Sequence, residues 1–223
     1  ACGVWLHFLD DDDWLAPGAL AAFRQLAQTT TAGWLYGGAH LIDAGRGVEQ
    51  TLLLGEAGNC ALYILGGEWV PLQASLVRAQ EFFAIGGFNP LATPGEDRDL
   101  CNRYALVGDF AFTPATVAGL DRSSESTTNY TLSLAHSRRE REKVLNEPGL
   151  VKRLQASSVS PYWRGRAVRV LLASALTNLR SGRPMIAGNR FGSAATCVAT
   201  RPQIVLAAAF WRAMLHSHTS RVV

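Results

Sequence analysis

The order of apolar and polar positions predicts short strands alternating with helices in the first half of the chain. Val4–Leu9 is a mostly apolar run that stops at four aspartates, as expected of a buried strand. Pro17 stands where the first helical position is expected. Apolar residues recur after it at helical spacing, namely Ala19, Leu20, Phe23, Leu26 and Ala27. The first unit is therefore predicted to be strand, acidic loop and helix.

Further elements follow along the chain. Strands are predicted at Trp34–Ile42, Thr51–Leu54, Ala61–Leu65, Ala74–Val77, Asp109–Thr113 and Thr116–Leu120. A short helix is predicted at Ala79–Ile85. A longer one is predicted from Glu96 to Val107, with Leu100, Tyr104 and Val107 on one face. Strands and helices mixed in this way predict an α/β domain.

The pattern changes after Ser123–Thr128, where only helices are predicted. Leu132–Leu145 is strongly charged, and Tyr162–Leu179 is apolar on one side. Gly188–Val223 shows no clean period. We therefore expect an α/β domain over residues 1–130 and a helical C-terminal extension over 131–185. The tail over 186–223 either folds or is poorly ordered.

Composition narrows the class of protein. With 48% hydrophobic and 17% charged residues, the chain is too apolar to be disordered. No apolar run approaches the roughly 20 residues that a membrane-spanning helix needs. Four cysteines are scattered without a paired motif, which fits a reducing compartment. We expect a cytoplasmic location, peripheral to the inner face of the membrane, and no nucleic-acid partner.

Charge divides the chain into two unlike regions. Residues 1–130 have a formal net charge of −9, and residues 131–223 have a net charge of +12. The acidic region is suited to a cation. The basic region is suited to an anionic surface, including a membrane, or to the acidic half of the chain itself. The alternative is that it is simply a solvated, Arg-rich helical extension.

The run Asp10–Asp13 directly after the first strand is the main candidate for chemistry. Adjacent carboxylates repel one another unless a cation neutralises them, and Mg²⁺ or Mn²⁺ prefers oxygen ligands. Asp10 and Asp12 can converge on one ion where the strand turns. A solvated acidic loop is the alternative, with Asp13 as the N-cap of the following helix.

A second acidic group, Glu96 and Asp97, opens the helix after Gly95. The helix dipole alone would explain acids in a first turn. Close to a substrate hydroxyl, however, either carboxylate is also a competent general base.

These segments together resemble a known family. The runs GVWLHFLDDDDWLAPGAL, SLVRAQEFFAIGGF and GEDRDLCNRYALVGDFAFTP, over about residues 3–120, are similar to family 2 glycosyltransferases with the GT-A fold. The resemblance implies a nucleotide-diphospho-sugar transferase-like, Rossmann-like mixed sheet flanked by helices. It also implies an inverting transfer of a sugar from a nucleotide-diphosphate sugar to a hydroxyl acceptor, either a glycan or a lipid-linked molecule, in cell-envelope glycan synthesis.

The resemblance also implies roles for individual residues. Asp10 and Asp12 correspond to the DxD positions, with Asp12 as a direct metal ligand, and Asp11 lies near the nucleotide ribose. Asp97 would deprotonate the acceptor, with Glu96 orienting it. The acceptor wall would be formed by Gly86, Gly87 and Phe88. Apart from the resemblance, Trp14 is either a core or rim residue or, because it stands beside the aspartates, a side chain that stacks on a sugar.

The chain departs from the family pattern in three places. It begins three residues before the first strand, where the family has βα units, so we expect a fragment of a longer protein that lacks part of the base pocket. The family's metal-binding histidine after the last strand is absent, and Asp121 or Glu125 would replace it unless the DxD and the diphosphate suffice. The signature of processive synthases is also missing, which favours transfer of a single sugar.

Two other functions are compatible with the sequence. A nucleotidyltransferase also uses aspartates at a strand end together with Mg²⁺, but normally has a glycine-rich loop that is not seen here. A catalytically inactive module could bind glycans or partner proteins through the basic extension. Release of pyrophosphate would identify the first, and glycan binding insensitive to EDTA would identify the second.

Overall fold

A computed structural model describes residues 2–43, 48–52, 55–68, 70–92, 95–121 and 141–215. The strands are β1 (Trp5–Leu6), β2 (Trp14–Leu15), β3 (Trp34–Asp43), β4 (Val48–Leu52), β5 (Ser75–Arg78) and β6 (Phe110–Asp121). The helices of the first half are α1 (Ala19–Thr29), α2 (Ala61–Leu65), α3 (Ala79–Ala84) and α4 (Glu96–Ala105). Those of the second half are α5 (Leu150–Ala156), α6 (Pro161–Arg180), α7 (Pro184–Ala199) and α8 (Ala208–Leu215). Three 3₁₀ turns lie at Leu72–Ala74, Pro90–Ala92 and Pro202–Leu206.

The strands form one mixed sheet in the order β1-β5-β3-β6-β2, and β4 also pairs with β3. Among the described strands, the β3–β6 pair alone is parallel; the other pairs are antiparallel. Register shifts occur at Gly37 and Gly38, opposite Thr113 to Thr116 of β6. Strand β6 thus continues through the segment around Pro114, where the sequence predicted two strands separated by a break.

Both faces of the sheet are covered. Trp34 and Tyr36 of β3 point into one hydrophobic cluster, and the intervening Leu35 points into the other, as the alternation of side chains along a strand requires. Helix α1 covers the second cluster through Phe23, which is 1% exposed. Most of the remaining helices contribute to the first cluster.

The basic C-terminal helices are bound to the α/β part by specific contacts. The Arg153 guanidinium donates hydrogen bonds to the carbonyl oxygens of Ala105, the last residue of α4, and Gly108, and it forms a 3.0 Å ion pair with Asp109. Trp163 of α6 packs edge to face on Tyr63 of α2, with ring centroids 4.8 Å apart. The basic region therefore meets the acidic region within one shared core.

Several predicted elements differ from those found. Ala61–Leu65 is a helix, not a strand, and all five of its residues are buried, so the sequence offered no polar position from which to read a period. Helix α4 ends at Ala105, which leaves Val107 outside it and 66% exposed. Helix α1 begins after Gly18, two residues later than the position suggested by Pro17.

The C-terminal part contains more structure than its pattern indicated. The predicted helix Tyr162–Leu179 is confirmed as α6, whereas α7, the last 3₁₀ turn and α8 lie largely where no period was found. Cys197 and Phe210 from this stretch are buried in the first cluster. Most of the predicted helix Leu132–Leu145, and the proposed boundary near residue 130, lie outside the described residues. No helix in the described part is both long and apolar enough to cross a bilayer.

Candidate active site

The four aspartates form a compact loop, Asp10–Asp13, between β1 and β2. The backbone N–H of Asp13 donates to the carbonyl oxygen of Asp10 at 3.2 Å and closes the turn. One carboxylate oxygen from each of Asp10, Asp12 and Asp13 lies within 4.8 Å of the others. We call these three side chains the carboxylate cluster. Asp10 and Asp12 are exposed and Asp13 is half-buried, so the cluster opens to solvent.

Two contacts hold the cluster to the sheet. The side-chain amide of Gln73 donates to Asp10 Oδ2 at 2.5 Å, from the 3₁₀ turn that leads into β5. On the other side, the backbone N–H of Asp121 at the end of β6 donates to Asp13 Oδ1 at 2.9 Å. The sequence suggested Asp13 as the N-cap of α1, but the N-cap is Gly18. The loop is anchored to β5 and β6, and its outward carboxylates stay free for a ligand.

Among the described residues, no ion pair offsets the negative charge of the acidic loop. Asp10, Asp11 and Asp12 form no ion pair within the described part of the chain. Burial raises the pKa of Asp13, the negative charges of Asp12 and Asp10 raise it further, and the hydrogen bond from Asp121 opposes the change. Three oxygen donors at this spacing, without an ion-pair partner in the described part of the chain, fit a hard divalent ion such as Mg²⁺ or Mn²⁺.

The second acidic group lies at the start of α4. Gly95 has a φ of 114°, a left-handed conformation that favours glycine, and the helix begins directly after it. Glu96 Oε2 accepts a hydrogen bond from the Gly95 N–H, and Asp97 Oδ1 accepts one from the Arg98 N–H at 2.6 Å. Both acids are half-buried and neither joins the carboxylate cluster. The two acidic groups are thus separate sites on the chain.

Arg103 ties α4 to the turn that contains Gly86 and Gly87. Its guanidinium donates to the carbonyl oxygens of Ile85 and Gly87 at 2.6 and 2.7 Å. It also pairs with Asp99, a buried carboxylate one turn earlier in the helix, at 2.7 Å. The two glycines have φ values of 86° and 63°, so the turn needs residues without a Cβ atom. Helix α4 and the glycine turn therefore form one unit.

Phe88, which follows the two glycines, packs against the strand end that leads to the aspartates. Its ring meets that of Phe8 edge to face at 4.9 Å, and Phe82 completes the group with centroid distances of 5.3 and 5.4 Å. Phe8 precedes Asp10 by two residues. The glycine turn is thus linked to β1 by aromatic packing and to α4 by Arg103, which connects the elements that carry both acidic groups.

Trp14 lies on β2, directly after the acidic loop, and is 42% exposed. Its indole rests on Gly119 of β6; a Cβ atom at position 119 would lie 2.1 Å from the indole Cε2. The indole can therefore pack at this position only because residue 119 has no side chain. The exposed part of the ring is open to a ligand beside the aspartates.

The sequence offered Asp121 or Glu125 as a substitute for the missing histidine, and the structure describes only the first of them. Asp121 ends β6 and reaches the loop through its backbone N–H, but its carboxylate is not part of the cluster. Glu125 lies outside the described residues.

Sequence reasoning missed Gln73 and Arg103. Gln73 belongs to no motif, and Arg103, although it lies within one of the family-like runs, contacts a turn 16–18 residues earlier in the chain. The spacing of Asp99 and Arg103, four residues apart on a helix, was a visible signal of an ion pair but not of the contact with the glycine turn.

Comparison with known proteins found no matching family model and no matching curated protein. Among solved structures, residues 1–349 of S. aureus TarS in complex with UDP-GlcNAc are similar, with a TM-score of 0.54 and 14% sequence identity. The match covers 92% of this chain and 69% of that one. The same TarS segment in complex with UDP gives a TM-score of 0.49 at 15% identity, over 92% of this chain and 68% of that one. The first likeness confirms the expected fold class: a GT-A-type mixed sheet flanked by helices.

Proposed function

We propose that this chain is a family 2 glycosyltransferase that transfers a single sugar, with inversion, from a nucleotide-diphosphate sugar to a hydroxyl acceptor. The observation that carries the proposal is the carboxylate cluster in the loop between β1 and β2 of a GT-A fold. The similar TarS structure contains UDP-GlcNAc, which supports a donor of the same class here. The acceptor would be a glycan or a lipid-linked molecule of cell-envelope glycan synthesis.

The carboxylate cluster would hold the metal and the donor diphosphate. Asp10 and Asp12 would bind Mg²⁺ or Mn²⁺, with Gln73 fixing the orientation of Asp10. Asp13 adds a third oxygen that the sequence had assigned to a helix cap. Asp11 would lie near the nucleotide ribose. A cation bound there would offset the charge that develops on the leaving diphosphate.

The α4 acids would act on the acceptor. Asp97 would take the proton of the acceptor hydroxyl as its oxygen bonds to the anomeric carbon, while the bond from that carbon to the diphosphate breaks. Glu96 would orient the acceptor, and the wall around it would consist of Gly86, Gly87, Phe88 and Trp14. Attack by a single activated oxygen opposite the leaving group gives inversion at the anomeric carbon.

The test is a calorimetric titration of the chain with Mn²⁺, in the absence and in the presence of UDP. We expect Mn²⁺ to bind and UDP to strengthen that binding, because the diphosphate supplies further oxygen ligands. Asp12→Asn should weaken Mn²⁺ binding at least tenfold, since it removes one of about three charged ligands.

Glu147→Gln is the matched control, since Glu147 is an exposed acid outside the loop. Equal Mn²⁺ affinity in wild type and Asp12→Asn would overturn the metal assignment. Release of pyrophosphate from a nucleoside triphosphate, in place of UDP from a UDP-sugar, would indicate a nucleotidyltransferase.

A further inference from the structure

Charge is distributed very unevenly in the second half of the chain. After Glu147 the sequence has no Asp or Glu, whereas residues 148–223 contain eleven Lys and Arg. Because the segment contains no acidic side chain, its lysines and arginines cannot form side-chain ion pairs inside it. Arg153 and Arg190 pair with Asp109 and Glu142, which lie before the segment. The exposed arginines that remain produce a positive surface potential that attracts anionic partners.

The turn between α6 and α7, within this basic region, has a conformation defined by backbone hydrogen bonds. Gly182, with a φ of 69°, terminates α6, and its N–H donates to the carbonyl oxygen of Leu179 at 3.1 Å. The Arg183 N–H donates to Asn178 at 2.9 Å. Below the turn, Arg190 of α7 donates to Ser174 of α6 at 3.3 Å and holds the helices together. The tip of this hairpin is therefore held in place by hydrogen bonds.

Three large apolar side chains at the tip face solvent. Leu176 is 48% exposed, Leu179 is 51% exposed, and Met185 at the start of α7 is 84% exposed. Leu176, Leu179 and Arg180 share one face of α6, because residues three and four apart on a helix are neighbours. Such an exposed apolar group on a basic helical surface is a feature of interaction sites.

The arginines beside these side chains are not neutralised. Arg180 and Arg183 are both exposed, and neither has an ion pair in the part of the chain that the structure describes. The tip thus combines exposed apolar groups with two free positive charges.

We propose that this hairpin tip, formed by Leu176, Leu179, Arg180, Arg183 and Met185, inserts into the headgroup layer of an anionic membrane. The apolar side chains enter the boundary with the acyl chains, and the arginines bind lipid phosphates. A tip-to-tip dimer is a poor alternative, because two tips of the same charge repel each other. Three side chains also cover far less than the roughly 800 Å² per partner of a stable protein interface.

This inference goes beyond sugar transfer and does not depend on it. Membrane attachment through α6 and α7 uses none of the residues assigned to the donor, the metal or the acceptor. A failure of one proposal therefore leaves the other intact.

The experiment is flotation of the 223-residue chain with phosphatidylcholine vesicles, prepared with and without phosphatidylglycerol. The wild type should float only with the anionic vesicles, and high salt should release it. The pair Leu179→Ser and Met185→Ser should reduce the partition coefficient at least tenfold, because two apolar side chains no longer enter the bilayer. Arg180→Gln with Arg183→Gln should reduce it by roughly tenfold or more.

Matched controls separate the tip from general surface properties. Leu20→Ser with Val107→Ser removes two side chains that are 63% and 66% exposed in the acidic region. Arg24→Gln with Lys152→Gln removes the same charge from exposed positions elsewhere. Both controls should leave most of the binding intact, and the melting temperature should stay close to that of the wild type for all four variants, since every site is exposed.

Three outcomes would overturn the proposal. The wild type could fail to float with anionic vesicles, or the controls could lose as much binding as the tip variants. Sedimentation could also reveal an oligomer that Leu179→Ser with Met185→Ser dissociates, which would identify the tip as a protein interface.

Discussion

Asp10, Asp12 and Asp13 bring three carboxylate oxygens within 4.8 Å of one another, and their roles differ according to what else they touch. Asp13 is tied to the end of β6, and burial and neighbouring charges raise its pKa. Asp10 is oriented by Gln73, and Asp12 is exposed without an ion pair in the described chain. Asp12 is consequently the carboxylate with most freedom to approach a cation.

A variant at Asp97 can distinguish metal binding from proton transfer in the proposed reaction. Asp97→Asn should leave Mn²⁺ and UDP binding unchanged, because Asp97 is not part of the carboxylate cluster. Its kcat for sugar transfer should fall by about 10²–10⁴-fold, the usual contribution of a general base. Steady-state kinetics with a UDP-sugar and a hydroxyl acceptor would measure this.

Glu96→Gln serves as the comparison for that variant. A residue that orients the acceptor should affect mainly the KM for the acceptor, with a smaller effect on kcat. Retained turnover in Asp97→Asn would place the general base elsewhere.

At the scale of elements, helix α4 and the glycine turn are coupled through one side chain. Arg103→Gln should lower the free energy of unfolding by about 2–4 kcal/mol, because it removes charged hydrogen bonds to two carbonyl oxygens and leaves the buried Asp99 unpaired. Urea unfolding followed by circular dichroism would measure the loss.

Arg98 on the same helix provides a matched control. Its side chain makes no hydrogen bond or ion pair with the described residues, so Arg98→Gln should change stability by less than about 0.5 kcal/mol. Similar losses in the two variants would contradict the role assigned to Arg103.

Elements with a clear period could be predicted from the sequence, and elements buried on all sides could not. Leu35 and its neighbours in β3 alternate between the two faces, and α1 has one apolar face, so both were found. Ala61–Leu65 has no exposed residue, and an apolar run of five fits a buried strand as well as a buried helix.

In the candidate site, likewise, residues in local patterns could be predicted and contacts between distant segments could not. The aspartates of the acidic loop and of α4 stand in recognisable local patterns. Gln73 was not predictable, since only the pairing of β1 with β5 brings it to Asp10. Phe8 and Phe88 likewise meet across 80 residues of chain, and no local pattern indicates that contact.

At the scale of the whole molecule, the α/β part and the C-terminal helices share one hydrophobic cluster, which encloses three of the four cysteines. Burial raises the pKa of the Cys60 and Cys101 thiols, and it raises the pKa of Cys197 to about 12. Their thiolates are therefore scarce at neutral pH, and reagents cannot reach them. Cys2 is exposed.

A thiol titration with Ellman's reagent tests this shared core. We expect one fast-reacting thiol per native chain, abolished by Cys2→Ser, and four thiols in guanidinium chloride. If Cys197 reacted quickly in the native chain while Cys60 and Cys101 did not, the C-terminal helices would not be packed as described.

The central claim is that the carboxylate cluster and the acids of α4 serve one donor and one acceptor. The most direct measurement is a crystal structure of the chain with Mn²⁺ and UDP, with the metal located by its anomalous signal. The account predicts manganese bound by Asp10 and Asp12, the diphosphate on that ion, and the Asp97 carboxylate facing the space where the donor sugar would lie. Manganese bound away from the acidic loop, or packed side chains between Asp97 and the diphosphate, would contradict it.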